Sequence, residues 1–326
     1  MVTWLRPLTS RPPVTGRAKR LHRSRLRRPS LAVLALASAT LAGCNPAVTT
    51  DAKPRLTWPD LTKRPRPAPD STVTYGPDKM QKVDVWLPHG PGPHPVALMV
   101  HGGCWQTSIA DRTLMNWIAD DLRRSGVAVW NIDYRGVDRA GGGYPGTFAD
   151  AAKAADQLLV NAAEYRLDTR RTVAIGHSAG GHLALWLAGR HRLPAASPLR
   201  SPDPLRIDEV VSLGGLPDLE ATAASPDNGC GTEVVARLVG DRPDAYADTS
   251  IPRLLPLGVG QQLVNGREDR IIPYRLATGY LAQARAAGDR VTLHTIPDTG
   301  HVELIAPETA AWASAKALIL TGLRRP

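Results

Sequence analysis

The chain predicts an α/β fold with a mostly parallel central sheet flanked by helices. Short runs that are uniformly apolar or β-branched recur along it, as strands buried on both faces require. Between them lie longer segments whose apolar residues return at intervals of three and four, the pattern of amphipathic helices. Strands alternating with helices place helices on both faces of parallel strands. In such sheets functional side chains gather at the carboxyl ends of the strands.

The elements follow in order. An alternating strand, MQKVDVWLP over 80–88, opens the domain and is expected to run antiparallel. Buried strands are expected at 95–103 (PVALMVHGG), 127–135 (VAVWNIDYR), 172–178 (TVAIGHS), 209–215 (EVVSLGG), 261–269 (QQLVNGRED) and 291–298 (VTLHTIPD). Helices are expected at 112–126, 147–165, 179–191, 274–288 and 308–323. The excursions 192–206 and 216–250 make small lid loops; neither is long enough for a large separate cap. A hydrophobic content of 43% is enough for a sizeable core in a domain expected at 71–326.

The net charge of +10 is unevenly placed. Residues 1–43 carry nine Lys and Arg and no acid, so the remainder is close to neutral. Nucleic-acid binding thereby loses its main support. The basic stretch ends at Arg27 and Arg28 and is followed by LAVLALASATLAG, Leu31 to Gly43, an apolar run too short to span a bilayer. It closes on LAGC, which resembles the lipobox of bacterial lipoproteins, with Cys44 the lipidated residue. Residues 1–43 are thus expected to be a lipoprotein-type signal peptide, and the mature protein to be exported and lipid-anchored to a membrane. An ordinary signal peptide with an incidental Cys44 is the alternative. Residues 44–70, rich in proline and without apolar periodicity, read as an extended tether.

The chemistry is concentrated at three strand ends. Gly176-His177-Ser178-Ala179-Gly180 fits G-x-S-x-G, with an apolar strand before it and a helical run after it. That context is what a strained nucleophile turn requires. A serine hydroxyl needs a base, and the base needs an orienting acid. Asp269 follows the strand at 261–265 and His301 the strand at 291–296, in the chain order acid then histidine. Glu268 is the neighbouring alternative acid, with Asp298 and Asp218 behind it. No H-E-x-x-H, C-x-x-C or G-x-G-x-x-G spacing occurs in the expected contexts, so neither a metal nor another cofactor is implied.

HGGCW at 101–105, DYR with GGYPGTFAD, GHSAGGHLALW, GREDRIIP and GHVELI together resemble the α/β-hydrolase superfamily. The likeness is to its HGG-loop esterase and lipase branch, including feruloyl-esterase-like and kynurenine-formamidase-like hydrolases. The resemblance implies a Ser178–Asp269–His301 triad. It also implies an oxyanion hole formed by backbone N–H groups of Gly103, Cys104 and Ala179. The function it implies is hydrolysis of a small-molecule carboxylic ester through an acyl-enzyme. An arylformamidase or amidase using the same triad is the alternative, and a non-catalytic envelope binding protein is the rival of another class.

The remaining expectations concern the surroundings. Trp105 and Tyr144 are candidate pocket walls, whereas Trp186 is expected in the core. His101 is expected to hold the glycine loop through its ring nitrogens, and His177 and His182 to pack locally. In an oxidising compartment Cys104 and Cys230 would pair, bracing the oxyanion loop; two buried free thiols are the alternative. The oligomeric state is open.

Overall fold

The computed structural model describes residues 54–324. Its strands are β1 (Ser71–Thr74), β2 (Lys82–Trp86), β3 (His94–Val100), β4 (Ala128–Ile132), β5 (Leu167–His177), β6 (Glu209–Leu213), β7 (Gly260–Gly266) and β8 (Val291–Ile296). Its helices are α1 (Trp58–Thr62), α2 (Asn116–Arg124), α3 (Gly146–Asn161), α4 (Ala179–Ala188), α5 (Leu219–Ala223), α6 (Glu233–Val239), α7 (Tyr274–Ala286) and α8 (Ala310–Gly322).

The strands form one sheet in the order β1-β2-β4-β3-β5-β6-β7-β8. β1 and β2 are antiparallel, and every pairing from β4 to β8 is parallel. The alternation of side chains sorts each strand between two cores. Val96, Leu98 and Val100 of β3 face the core packed by α3, α4 and α7, while Ala97 and Met99 face the core packed by α2 and α8. Helix α4 is buried on all sides, which explains why its sequence is apolar but for His182.

The buried strands end earlier than the apolar runs suggest. β3 stops at Val100, leaving His101-Gly102-Gly103 on a loop; β7 stops at Gly266, leaving Asp269 on another. Strand β1 was invisible to patterning because STVT carries little apolar content and sits at the sheet edge. Helices α5 and α6 lie inside the expected lid excursion, and both are too short to show a periodicity. The two excursions meet at the buried carboxylate of Asp248. It accepts from Tyr144 Oη at 2.9 Å, Ser197 Oγ at 2.6 Å and Arg242 Nη2 at 2.5 Å.

The tether expectation needs correction over residues 54–70. This segment is docked on the domain and includes α1. Leu61 is fully buried in the α2–α8 core. Pro65 and Pro67 lack an N–H but keep their carbonyls, which accept from Trp117 Nε1 at 3.0 Å and Asn116 Nδ2 at 2.9 Å. Arg64 forms a paired contact with Glu308 at 2.7 and 2.5 Å. Proline content alone does not report that a chain is undocked, because carbonyl acceptors and one apolar anchor suffice. The proposed signal peptide and Cys44 lie outside the described residues. Among the described residues, no helix is long and apolar enough to cross a membrane.

Leu61→Ala should therefore lower the unfolding free energy by about 2–5 kcal/mol, as core truncations do. Urea denaturation measures it; an unchanged midpoint would restore the tether reading.

Candidate active site

Strand β5 runs directly into α4 through Ser178, whose backbone sits at φ 54°, ψ −122°. A non-glycine residue held there stores strain of about 1–3 kcal/mol. The glycines two positions to either side have no room for side chains. A Cβ on Gly176 would lie 1.9 Å from the Gly180 carbonyl oxygen, and one on Gly180 would lie 2.2 Å from that of Val100. The glycines of G-x-S-x-G are thus required by backbone approach. Ser178 N donates to Leu213 O at 2.8 Å, tying the turn to β6.

Asp269 and His301 meet at the same end of the sheet. His301 Nδ1 lies 2.6 Å from Asp269 Oδ2, and both side chains are almost wholly buried. A carboxylate only accepts, so Nδ1–H is the donor and Nε2 is the remaining ring nitrogen. The other carboxylate oxygen accepts from the N–H groups of Ile271 at 2.8 Å and Ile272 at 2.9 Å. The carboxylate is therefore fixed before it fixes the imidazole. The alternative acids are engaged elsewhere. Glu268 accepts from Thr299 N, Asp298 is exposed and pairs with Arg55, and Asp218 caps α5 and accepts from Gln283.

His177 joins the serine turn to the histidine loop. Its ring lies 4.4 Å from that of His301, and its Nε2 lies 3.2 Å from the His301 carbonyl oxygen, to which it donates. Burial, and then the neighbouring His301, push its pKa well below the usual value. A Cβ on Gly102 would lie 2.9 Å from His177 Nδ1 and 3.0 Å from Ser178 Cβ. The HGG loop thus packs directly on the serine turn. Ser178 Oγ forms no hydrogen bond with His301 among the described residues; such contacts are often loose before substrate binds.

The HGG loop has three successive residues of positive φ, Gly103 at 109°, Cys104 at 51° and Trp105 at 54°. Among the described residues no protein acceptor takes the N–H of Gly103 or Cys104. Ala179 is the first residue of α4, and its N–H has no intrahelical acceptor. His101 anchors the loop. Its Nε2 lies 2.9 Å from Asp133 Oδ1, its Nδ1 lies 2.6 Å from Gly102 O, and its ring stacks on Tyr134 at 4.4 Å. Arg112 donates to the second oxygen of Asp133 at 3.0 Å. A disulfide joins Cys104 to Cys230, whose Cα atoms are 5.2 Å apart.

The pocket expectations divide. Trp105 is fully buried and packs edge-on against His182 at 5.6 Å, so it belongs to the core and not to a pocket wall. Its backbone has a positive φ of 54°, a local conformation that residue type alone does not reveal. Tyr144 is partly exposed and lies under the Arg242 guanidinium at 3.6 Å. Trp186 is in the core as expected, donating to Asp248 O at 2.8 Å. A residue that sequence reasoning passed over is Trp58, whose ring stands edge-on to those of both His177 and His301, 6.1 Å from each. A tryptophan inside a proline-rich stretch was the available signal. A cavity of about 420 Å³ lined by Leu187, His191, Pro204 and Leu257 lies at the amino-terminal edge of the strands, away from Ser178.

A strained serine between strand and helix, followed in chain order by a hydrogen-bonded Asp–His pair on a mostly parallel sheet, defines the α/β-hydrolase class. Within that class the chain belongs to the BD-FAE family, whose model matches residues 83–278. It is 30% identical over 114 residues to a probable isoprenylcysteine alpha-carbonyl methylesterase of Arabidopsis thaliana, covering 35% of this chain and 23% of that protein. It is 34% identical over 101 residues to a versiconal hemiacetal acetate esterase of Dothistroma septosporum, covering 30% and 29%. The alignments span less than a third of these curated relatives. Among solved structures, esterase 2 of Thermogutta terrifontis, phosphonylated by sarin, superposes with a TM-score of 0.66. It shares 19% identity, covering 83% of this chain and 100% of that one.

The buried histidines give the fold a pH dependence. His182 donates to Thr249 O at 2.7 Å, and burial pushes its pKa from 6.5 down to about 4. The unfolded chain therefore binds more protons between these values, and stability falls as pH drops through that window. His177 acts in the same direction. The urea midpoint should decrease from pH 7 to about pH 4.5, and His182→Gln, which keeps an N–H donor, should flatten the slope.

Proposed function

We propose that this protein is a serine hydrolase of small carboxylic esters working through an acyl-enzyme on Ser178. The observation that carries the reading is the buried 2.6 Å Asp269–His301 hydrogen bond beside a serine held in strained backbone geometry. The esterase names of the sequence relatives support it.

In this reading Ser178 Oγ attacks the ester carbonyl and its proton passes to His301 Nε2. Negative charge develops on the former carbonyl oxygen, which accepts from the N–H groups of Gly103, Cys104 and Ala179. Such donors act because they are fixed before the charge appears. Asp269 holds the imidazole orientation and stabilises the imidazolium. The tetrahedral intermediate collapses, the C–O bond breaks, and His301 returns the proton to the departing alcohol. Water, deprotonated by His301, then attacks the acyl-enzyme and releases the acid with Ser178 regenerated.

Ser178→Ala should fold with a wild-type unfolding midpoint and lose hydrolysis of a nitrophenyl acetate ester together with fluorophosphonate labelling. Asp269→Asn should lower kcat by about 10⁴-fold, the scale seen when an orienting carboxylate is lost. Wild-type turnover by the alanine variant would remove the assignment.

The reading extends to location. Export and lipidation at Cys44 rest on the basic segment, the short apolar run and LAGC at 41–44. The Cys104–Cys230 disulfide fits an oxidising compartment. Cells given radiolabelled palmitate should label the wild-type protein and not Cys44→Ser. Unlabelled wild-type protein would sink the lipid anchor.

A further inference from the structure

The docked segment 55–64 ends its path at the candidate base, and its fastenings are specific. Leu56 N donates to Glu303 Oε1 at 2.6 Å, while Glu303 Oε2 accepts from Gly300 N, the residue before His301, at 3.1 Å. One carboxylate thus bridges the segment to the histidine loop. Arg55 donates to Asp298 at 3.1 Å on that same loop and lies 3.8 Å from Glu268, next to Asp269. Leu61 and the Arg64–Glu308 pair fix the other end. Between these anchors stands Trp58, half-buried, 6.1 Å from the ring centres of both His177 and His301. The segment lies outside the residues 83–278 that match the family model.

We propose that residues 55–64 are a strap belonging to the active site, and that Trp58 forms the wall of the substrate cleft on the alcohol side of the ester. The inference rests on the serine-hydrolase reading above. In that mechanism His301 returns a proton to the departing alcohol, so the alcohol oxygen must come within hydrogen-bond reach of Nε2. A side chain standing against the His301 ring therefore borders the alcohol moiety, whereas the acyl group extends from the other side of the carbonyl carbon. Trp58 is half-buried, packed against the α2–α8 core as well as edge-on to the two imidazoles. An indole there presents an apolar, aromatic surface suited to an aromatic or bulky alcohol group.

The test uses the full chain and two ester series. One holds the acetyl group and varies the alcohol from methyl to benzyl to naphthyl. The other holds methanol and varies the acyl group from acetyl to hexanoyl. Trp58→Ala should lower kcat/KM for the benzyl and naphthyl esters by about tenfold or more relative to the methyl ester, on the scale of a lost apolar pocket contact. The loss should appear mainly in KM, and the acyl-length profile should stay as in wild type. Trp58→Phe should recover most of the aromatic-alcohol preference. If Trp58→Ala does not fold, Trp58→Phe decides, with an intermediate loss on naphthyl and none on methyl.

An unchanged alcohol profile, a loss equal across alcohols, or a shift in the acyl profile instead would overturn the strap proposal while leaving the hydrolase reading intact. A wild-type protein that neither hydrolyses any ester nor reacts at Ser178 with a fluorophosphonate would overturn the hydrolase reading, and the strap proposal with it.

Discussion

The backbone of Ser178 can hold its left-handed conformation only because four chain segments approach it without side chains in the way. β5 arrives through Gly176, α4 leaves through Gly180 and Gly181, and the HGG loop presses in at Gly102. The chain leaving β6 passes at Gly214 and Gly215. A Cβ on Gly181 would lie 2.6 Å from Ser212 Oγ, and one on Gly214 would lie 3.1 Å from His301 Nδ1. The strain at the serine is therefore balanced by close packing, of backbone on backbone at Gly176 and Gly180 and of backbone on the Ser212 and His301 side chains at Gly181 and Gly214. Ser178, the glycine loop and the His301 ring take their places from this one cluster.

Buried carboxylates do the rest of the placing. Asp133 fixes His101 and Asp269 fixes His301, each acid using both its oxygens. Asp133 receives Arg112 on its second oxygen, and Asp269 receives two backbone N–H groups. Asp248 repeats the device in the lid, joining Tyr144, Ser197 and Arg242. A buried carboxylate left half-satisfied would be costly, and one fully satisfied defines a unique arrangement of its partners. The site is built from such hubs.

How much of this could be read from the sequence follows the physics of each signal. The parallel strands were legible because burial on both faces forces uniformly apolar runs, and Ser178, Asp269 and His301 were legible because each follows such a run. The choice between Glu268 and Asp269 was not. Adjacent residues on a loop share a strand end, and only the turn after Gly266 decides which carboxylate meets the imidazole. β1 was hidden because an edge strand needs no apolar code. Trp105 was misplaced because a large aromatic beside a glycine loop carries no signal that separates a core position from a pocket wall. The docking of residues 54–70 was hidden for a different reason: it is carried by the carbonyls of Pro65 and Pro67 and by Leu61, Trp58 and Arg55, single residues without a period.

The covalent link also gains meaning from its neighbours. Cys104 sits on the glycine loop, and Cys230 follows Gly229, whose N–H donates to Ile271 O at 2.7 Å. Ile271 in turn donates to Asp269. The path from the candidate oxyanion donors to the orienting acid thus runs through one disulfide and two hydrogen bonds. The glycine loop and the acid loop leave different strand ends, β3 and β7, that are not sheet neighbours. Without the bridge their relative position would depend on the intervening lid, whose helices α5 and α6 are only five and seven residues long. The sulfur of Cys104 is therefore committed to the bridge, and a cysteine held in a disulfide is not a thiol nucleophile.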